Sequence, residues 1–350
     1  MYKTIGPAIY IEGSNVITKA IPVLKRWGCR GIILGERRLF EKFTKEINPF
    51  LKKLSLTKEF FNGECAKHEI DRIVKICKNK KYNYIIGFGG GKALDTAKAV
   101  SFYINKPCLT IPTSSATSAA STALSALYTE NGVSSYYLEL PASPACVVVD
   151  FNLIINAPQR YIASGMADAL AKYYESMAFT GAVSKDLFVN IALQIAERIH
   201  NTIFTIGKGA YNDAGSGRCS EAFKEIVRIN ILLAGVVGGF GGEGCRACAA
   251  HAVNNGFTRV PAMRRFLHGE MVGYGNILQL KLENKNSEIK KLKKLYKALS
   301  LPYSFESFQV EMNDNQKENV IKHICSRKET LKNMPRRISK DEIEKILFNL

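Results

Sequence analysis

The first part of the chain alternates short apolar runs with amphipathic segments, and this alternation restricts the possible folds more than any other feature. The apolar runs at 31–35, 84–88, 108–111 and 146–149 have the length and composition of buried strands. In the segment 68–77, apolar residues recur at helical spacing. Because strands that alternate with helices form βαβ units, we predict an α/β domain with a parallel sheet over residues 1–155.

The pattern changes after Asn156-Ala157-Pro158, where helical spacing becomes dominant and strand signals almost vanish. Helices are predicted at 159–179, 185–200, 220–237, 269–282 and 289–298. We therefore predict a second, all-α domain over residues 156–350.

The net charge of +18 raises the question of a polyanionic partner. The lysines are spread along helical segments such as 281–297 and 322–332, and no recognisable nucleic-acid-binding module occurs, so we expect no nucleic-acid partner. The most apolar helical segment, 231–242, is too short to cross a bilayer. The nine cysteines lack the spacing of a disulfide framework. These features predict a cytoplasmic protein that acts on a small molecule, without a membrane partner.

A glycine-rich turn at 87–95 (GFGGGKALD) follows a predicted strand and begins a helix that runs to about residue 104. Glycines let a backbone approach a phosphate closely, and a helix N-terminus offers free N–H groups. The turn is not a P-loop, since Ala93 follows the lysine, and it lacks the last glycine of G-x-G-x-x-G, where Lys92 stands. We predict a phosphate or pyrophosphate site at Gly89, Gly90, Gly91 and Lys92. The alternative is a tight turn without a ligand.

Two further segments follow predicted strands and extend this candidate site. The hydroxyl-rich loop 111–118, with Thr113 and Ser114, lies at the carboxyl end of its strand, where open parallel sheets bind ligands. Glu36 is placed to accept hydrogen bonds from an adenosine ribose, which favours NAD. Arg37 and Arg38 could instead hold the 2′-phosphate of NADP.

Two histidines in the helical half, His251 and His268, are flanked by small residues and separated by enough chain for two helices to present them to one point. Neutral imidazole suits zinc, iron and similar ions. Asp168, an acid among small apolar residues, is a candidate third ligand. Histidines that are buried and only satisfy hydrogen bonds are the alternative. Cys245 and Cys248 precede His251 at steps of three, but all three could reach one ion only with distortion of a helix.

The chain resembles the iron-containing alcohol dehydrogenases, in their glycerol dehydrogenase and hydroxycarboxylate dehydrogenase branch. The motifs that carry the resemblance are spread over most of the chain: FNGEC at 61–65, GGGKALDTAK at 89–98, Pro112-Thr113, LSALYTE at 124–130, NAPQRYIASGMADALAKYYE at 156–175, HAVNNGF at 251–257, His268-Gly269-Glu270 and Asn333-Met334-Pro335. The resemblance implies a dehydroquinate synthase-like architecture: a nucleotide-binding α/β domain, then an all-α domain, with the active site between them. We also expect a homo-oligomer.

The resemblance further implies roles for individual residues. Asp168, His251 and His268 would hold a divalent metal, zinc or alternatively Fe²⁺ or Mn²⁺. NAD, or alternatively NADP, would be bound by a larger set that consists of Glu36, Gly89, Gly90, Gly91, Lys92, Asp95, Thr113, Ser114, Ala116, Thr122, Leu124 and Tyr128. The implied reaction is hydride transfer between this cofactor and a small alcohol, polyol or 2-hydroxy acid. A dehydroquinate synthase-type cyclase and a polyol-phosphate dehydrogenase are the alternatives.

Four positions depart from the glycerol dehydrogenase pattern or from related metal sites. Ser118 stands where glycerol dehydrogenases have an aspartate that contacts the polyol, and Asn254 stands where they have a histidine. Arg246 replaces a small residue, as in hydroxycarboxylate dehydrogenases. Lys172 occupies the position of a fourth, histidine ligand in some relatives, which favours a three-ligand site. Ser118 and Arg246 are therefore candidate substrate-binding residues, and we expect a small 2-hydroxy or 2-oxo compound rather than glycerol.

Overall fold

A computed structural model describes residues 3–28, 30–181 and 184–350. The part up to Asp150 alternates strands with helices as the sequence predicts. Its elements in chain order are β1 (Ile9–Gly13), α1 (Ile21–Trp27), β2 (Arg30–Gly35), α2 (Arg37–Lys42), α3 (Thr44–Lys53), β3 (Ser55–Phe60), α4 (Lys67–Lys80), β4 (Tyr84–Gly89), α5 (Gly91–Ile104), β5 (Cys108–Pro112), β6 (Leu124–Tyr128), β7 (Ser134–Glu139) and β8 (Cys146–Asp150).

Six of these strands form one sheet in the order β1-β8-β5-β4-β2-β3, and every pair in it is parallel. The parallel sheet confirms the predicted fold class. Ile32, Ile33 and Leu34 of β2 are fully buried, because helices cover both faces of a parallel sheet. Strands β4 and β5 are neighbours, with Gly89 opposite Pro112. The glycine-rich turn and the hydroxyl-rich loop therefore leave the same edge of the sheet side by side.

The hairpin of β6 and β7 was not predicted from the pattern. These two strands pair antiparallel in a separate two-stranded sheet, with a register irregularity after Leu127. Only one face of β6 is buried, through Ser125 and Leu127, and β7 is largely accessible. Ser125 interrupts the apolar residues of β6, and β7 begins with two serines, so neither strand has the continuous apolar run that marks the strands of the main sheet.

After Asp150, no described residue lies in a strand. The helices are α6 (Phe151–Ile154), α7 (Gln159–Thr180), α8 (Leu187–Gly215), α9 (Glu221–Arg228), α10 (Ala234–Gly241), α11 (Glu243–Arg246), α12 (Ala249–Phe257), α13 (His268–Leu282), α14 (Asn286–Ala298), α15 (Asp314–Ile324) and α16 (Lys340–Leu347). The helix predicted at 185–200 extends to Gly215. A π-helical turn, Ile229–Leu233, interrupts the one predicted at 220–237. The boundary near residue 155 stays a prediction, although the change from strands to helices falls there.

Close helix packing positions the centre of the molecule. A Cβ on Gly269 of α13 would lie 1.9 Å from the Ser164 carbonyl oxygen of α7, and a Cβ on Gly165 would lie equally close to the Ser115 carbonyl oxygen. Only glycine permits these approaches. Asn230 of the π-helical turn also donates to the Ser115 carbonyl, at 2.9 Å, and so joins the helices to the loop after β5. None of the described helices is long and apolar enough to cross a membrane.

Candidate active site

A cavity of about 860 Å³ lies between the carboxyl edge of the sheet and the helical part of the chain. This volume is in the usual range for small-molecule sites. Most of the predicted site residues line it, namely Glu36, Gly90, Gly91, Lys92, Asp95, Ser114, Ala116, Ser118, Thr122, Leu124, Tyr128, Asp168, Arg246, His251 and His268. Gly89 and Thr113 are not part of the lining. Gly89 is the last residue of β4 and Thr113 follows β5, and the Thr113 amide donates to the Gly89 carbonyl at 3.0 Å.

Three helices bring the predicted metal ligands together. Asp168 lies on α7, His251 on α12, and His268 is the first residue of α13. Asp168 Oδ1 is 3.4 Å from His251 Nε2 and 3.5 Å from His268 Nε2. One potential ligand atom of each residue lies within 4.8 Å of the other two. Asp168 and His251 are 4% and 6% exposed, and all three side chains line the cavity.

The electrostatics of this cluster favour a cation at its centre. Asp168 Oδ1 is buried and, among the described residues, accepts no hydrogen bond of normal geometry. Burial acts to raise the pKa of Asp168, but the Lys172 ammonium and the two imidazoles outweigh it and hold that pKa well below its usual range. A buried, ionised carboxylate oxygen without a hydrogen bond is costly unless a positive charge occupies the adjacent space. Two imidazoles and one carboxylate are a ligand set that divalent zinc accepts, with a further position left open.

Glu175 was missed as a functional residue by sequence reasoning, although it lies two turns after Asp168 on α7. Its carboxylate is fully buried and accepts from His251 Nδ1 at 2.7 Å, from the His251 amide at 3.1 Å and from the Cys248 amide at 2.6 Å. Burial acts to lower the pKa of His251, but the Glu175 and Asp168 carboxylates prevail and raise it. Glu175 thus fixes the imidazole so that Nε2 faces Asp168, as a carboxylate behind a metal-ligating histidine does.

The cysteines upstream of His251 do not join the cluster. Helix α11 ends before Ala247, whose backbone is extended, and α12 begins at Ala249. Cys245 and Cys248 are therefore not on one continuous helix with His251, and both are fully buried. Burial raises the pKa of both thiols. Within the described residues, the potential metal-binding group here consists of the aspartate and the two histidines.

The glycine-rich turn has room for a ligand. Gly89 has φ +150°, where a side chain would be strained. Gly90 has an ordinary φ of −81° and precedes the first residue of α5, and a Cβ built on it would meet no described atom within 4 Å. The first N–H groups of a helix have no partner within the helix. The turn therefore offers free donors and open space, which fits the pyrophosphate of a dinucleotide.

Lys92 and Asp95 make specific contacts around this turn. The Lys92 ammonium forms an ion pair with Glu64 and lies 5.4 Å from the centre of the Tyr128 ring. Asp95 is 2.8 Å from Lys98 Nζ through Oδ1 and accepts from the Ala126 amide at 3.2 Å through Oδ2. Asp95 therefore also joins α5 to β6, whatever ligand it meets.

The structure also shows how the residues after β2 are arranged. Arg38 donates through Nε to Glu36 Oε2 at 2.6 Å, while its own side chain is mostly exposed. The Arg37 guanidinium stacks 3.9 Å from the centre of the Phe60 ring. Both arginine side chains thus already have a partner within the protein, and Glu36 lines the cavity.

The two predicted substrate residues lie on the cavity wall near α10. Ser118 is 8% exposed. Arg246 donates through Nε to the Gly238 carbonyl at 3.2 Å and through Nη1 to Glu139 at 3.3 Å. Its guanidinium is therefore partly neutralised by a carboxylate from β7.

Comparison with known proteins agrees with this architecture. The family model of the iron-containing alcohol dehydrogenases matches residues 7–151. The chain is 33% identical over 346 residues to a glycerol dehydrogenase of Escherichia coli, which covers 97% of this chain and 93% of that protein. It is 30% identical over 285 residues to hydroxycarboxylate dehydrogenase A of Escherichia coli, with 81% and 78% covered. The solved glycerol dehydrogenase of Schizosaccharomyces pombe superposes with a TM-score of 0.86 at 27% identity, over 98% of this chain and 88% of the other.

These relatives are dehydrogenases, so the cyclase alternative is not favoured. Similarity over nearly the whole length, together with the parallel sheet and the helical part that follows it, identifies the family. The chain belongs to the iron-containing alcohol dehydrogenases, in the branch that contains the glycerol and hydroxycarboxylate dehydrogenases, and is an oxidoreductase.

Proposed function

We propose that the protein is a metal- and NAD-dependent dehydrogenase that interconverts small 2-hydroxy acids and 2-oxo acids. One observation carries the proposal: Asp168, His251 and His268 converge on one point of the cavity that the open glycine turn also lines. The reaction removes a hydride from the carbinol carbon and a proton from its hydroxyl; the nicotinamide ring receives the hydride, and the proton is released to solvent water.

The residues present suit the two groups that this chemistry requires. When bound, a divalent metal acts as a Lewis acid on the substrate oxygen, and NAD accepts the hydride. Asp168, His251 and His268 would hold the metal, and zinc is the ion we expect, with Fe²⁺ or Mn²⁺ as alternatives. Glu175 orients His251, and burial of Asp168 and His251 limits their contact with bulk water.

The cofactor would lie along the carboxyl edge of the sheet. The turn at Gly89–Lys92 would take the pyrophosphate, and Glu36 would accept from the adenosine ribose. The Arg38–Glu36 ion pair supports NAD over NADP, because a 2′-phosphate would have to compete with Glu36 for this arginine. The remaining predicted cofactor residues, Asp95, Thr113, Ser114, Ala116, Thr122, Leu124 and Tyr128, lie along or just beneath the same wall.

The substrate class rests on Ser118 and Arg246. A serine in place of an acid removes a group that would repel an anion, and Arg246 adds a cation to the wall. Arg246→Ala should lower kcat/KM for a 2-oxo acid more than for an uncharged diol, since a charged hydrogen bond is lost only with the former. Steady-state kinetics on both substrates test this, and equal losses would contradict it.

The function as a whole is tested by a cofactor-coupled screen. Purified protein is stripped of metal, reloaded with Zn²⁺, Fe²⁺ or Mn²⁺, and assayed with NAD and NADP on glycerol, other diols, phosphorylated polyols and 2-hydroxy acids. We expect NADH formation that requires metal and is greatest with a 2-hydroxy acid. His268→Ala should lose both turnover and stoichiometric metal. A variant that keeps one metal per chain, or efficient oxidation of glycerol by the parent, would argue against the proposal.

Three further expectations belong to the proposed function. The cytoplasmic location, the homo-oligomeric state and the domain boundary near residue 155 are proposals that rest on the sequence. Light scattering after size exclusion tests the homo-oligomeric state, and limited proteolysis tests the domain boundary.

A further inference from the structure

Lys172 is a buried cation beside the cluster of Asp168, His251 and His268. It lies on α7 one turn after Asp168 and about one turn before Glu175, lines the cavity, and is 7% exposed. Its Nζ donates to the Arg246 carbonyl at 2.6 Å and stands 3.4 Å from His251 Nε2. A lysine ammonium is rarely buried so completely unless it is paired.

The hydrogen bonds that Lys172 makes do not use its full capacity. An ammonium has three donors. Within the described part of the chain, one donor is used well, on the Arg246 carbonyl. The 3.4 Å contact to His251 is long, and that nitrogen faces Asp168 as a potential metal ligand. At least one donor therefore remains for a group in the cavity.

The charges that face this position do not balance once a divalent cation is present. On α7 the neighbours are Asp168 and Glu175, and α12 and α13 add His251 and His268 as imidazoles. The two carboxylates offset the two positive charges of the metal. Lys172 then supplies one uncompensated positive charge.

Arg246 adds further positive charge to the same wall, which Glu139 offsets only in part because its own side chain is 75% exposed. An uncompensated charge in a buried site is costly. A substrate that carries one negative charge next to its reacting carbon would remove the imbalance, whereas a neutral polyol would not.

We propose that Lys172 is a specificity-determining residue that binds the carboxylate of a 2-hydroxy or 2-oxo acid beside the metal site. The inference rests on the proposed function and adds to Arg246 a second cation that selects its substrate class. The side chain acts as a compact point charge, which the Arg246 main-chain carbonyl holds at the cavity wall. Because that carbonyl belongs to the backbone, Arg246→Ala leaves the contact in place.

A binding experiment tests this without turnover. The zinc-loaded protein is titrated calorimetrically with 2-oxobutanoate and with 1-hydroxybutan-2-one, a neutral ketone of the same carbon skeleton. The parent should bind the anion at least tenfold more tightly. Lys172→Met should lose at least tenfold in affinity for the anion and less than twofold for the ketone, and Lys172→Arg should retain part of the preference. Lys291→Met removes an exposed lysine of α14 and serves as the charge-matched control; it should change neither affinity.

Metal affinity separates this role from a merely structural one. Removal of a cation beside the metal should leave the Zn²⁺ dissociation constant unchanged or lower it, whereas collapse of the site would raise it. Equal affinity of the parent for the two ligands would overturn the proposal without any variant. Equal losses in Lys172→Met would also overturn it.

The two proposals can fail separately. Charge-selective binding without NADH-dependent reduction of 2-oxobutanoate would support the role of Lys172 and reject the enzymatic function. Metal-dependent reduction of both ligands with equal efficiency, and no selective loss in Lys172→Met, would support the enzymatic function and reject the role of Lys172.

Discussion

At the scale of single residues, the candidate metal site depends on a carboxylate that does not line the cavity. Glu175 holds both the imidazole and the main chain of His251. Loss of such a partner behind a metal-ligating histidine typically costs about 10- to 100-fold in metal affinity. We expect a loss of this size for Glu175→Gln, measured as the Zn²⁺ dissociation constant by competition with a chelator. Glu175→Asp, which keeps the charge, should recover part of it, and an unchanged constant in Glu175→Gln would contradict the assignment.

The open space at Gly90 gives a second prediction at this scale. Its φ of −81° is allowed for any residue, so Gly90→Val should fold without backbone strain. The new side chain would extend into the space in front of the α5 N-terminus and should weaken NADH binding by at least tenfold. Fluorescence titration with NADH measures this, and Gly90→Ala should show a smaller loss. Parent-like affinity in Gly90→Val would mean that the turn binds no pyrophosphate.

At the scale of elements, the contact between α7 and α13 sets the distance between Asp168 and His268. A Cβ at position 269 would lie 1.9 Å from the Ser164 carbonyl oxygen, so the two helices would have to separate. Gly269→Ala should therefore destabilise the protein by about 1–3 kcal/mol, as overpacking does, and should also weaken metal binding.

A matched control is available on α8. Gly209 is exposed, and a Cβ there would meet no described atom within 4 Å. Gly209→Ala should leave metal affinity unchanged and keep or slightly raise stability, because alanine favours a helix. Denaturant unfolding and chelator competition compare the two variants. If Gly269→Ala matched Gly209→Ala in both measurements, the close approach would not be what positions the site.

At the scale of the whole molecule, the three predicted ligands come from three helices, so bound metal should stabilise the fold rather than one segment. A ligand that binds only the native state stabilises it by about 2.7 kcal/mol at a free concentration 100 times its Kd. We expect Zn²⁺ to raise the Tm of the metal-stripped protein by several degrees, and NADH to raise it further. His268→Ala should lose the Zn²⁺ effect and keep the NADH effect. An equal Zn²⁺ effect in this variant would place the metal elsewhere.

The strand–helix alternation, the turn at 87–95 and the change to helices near residue 155 are all visible in the sequence, because each depends on periodicity or on residues adjacent in the chain. Burial on both faces of the parallel sheet leaves a continuous apolar run in β2 and β4, so these strands are recognisable without any tertiary information. The hairpin of β6 and β7 cannot be recognised from an apolar run, because only one face of β6 is buried and β7 is largely accessible. Asp168, His251 and His268 could be named as a candidate set from residue type and context.

Only the tertiary structure decided what surrounds those ligands. Glu175 and Lys172 meet His251 across 76 and 79 positions of chain, through the packing of α7 against α12. The pairing of Arg246 with Glu139 likewise joins residues 107 positions apart. Local periodicity identifies the face of a helix that is buried but not the side chain that it meets there. That choice depends on how closely the elements approach one another. Here Gly269 lets α13 approach the Ser164 backbone of α7, and Gly165 lets α7 approach the Ser115 carbonyl of the loop after β5.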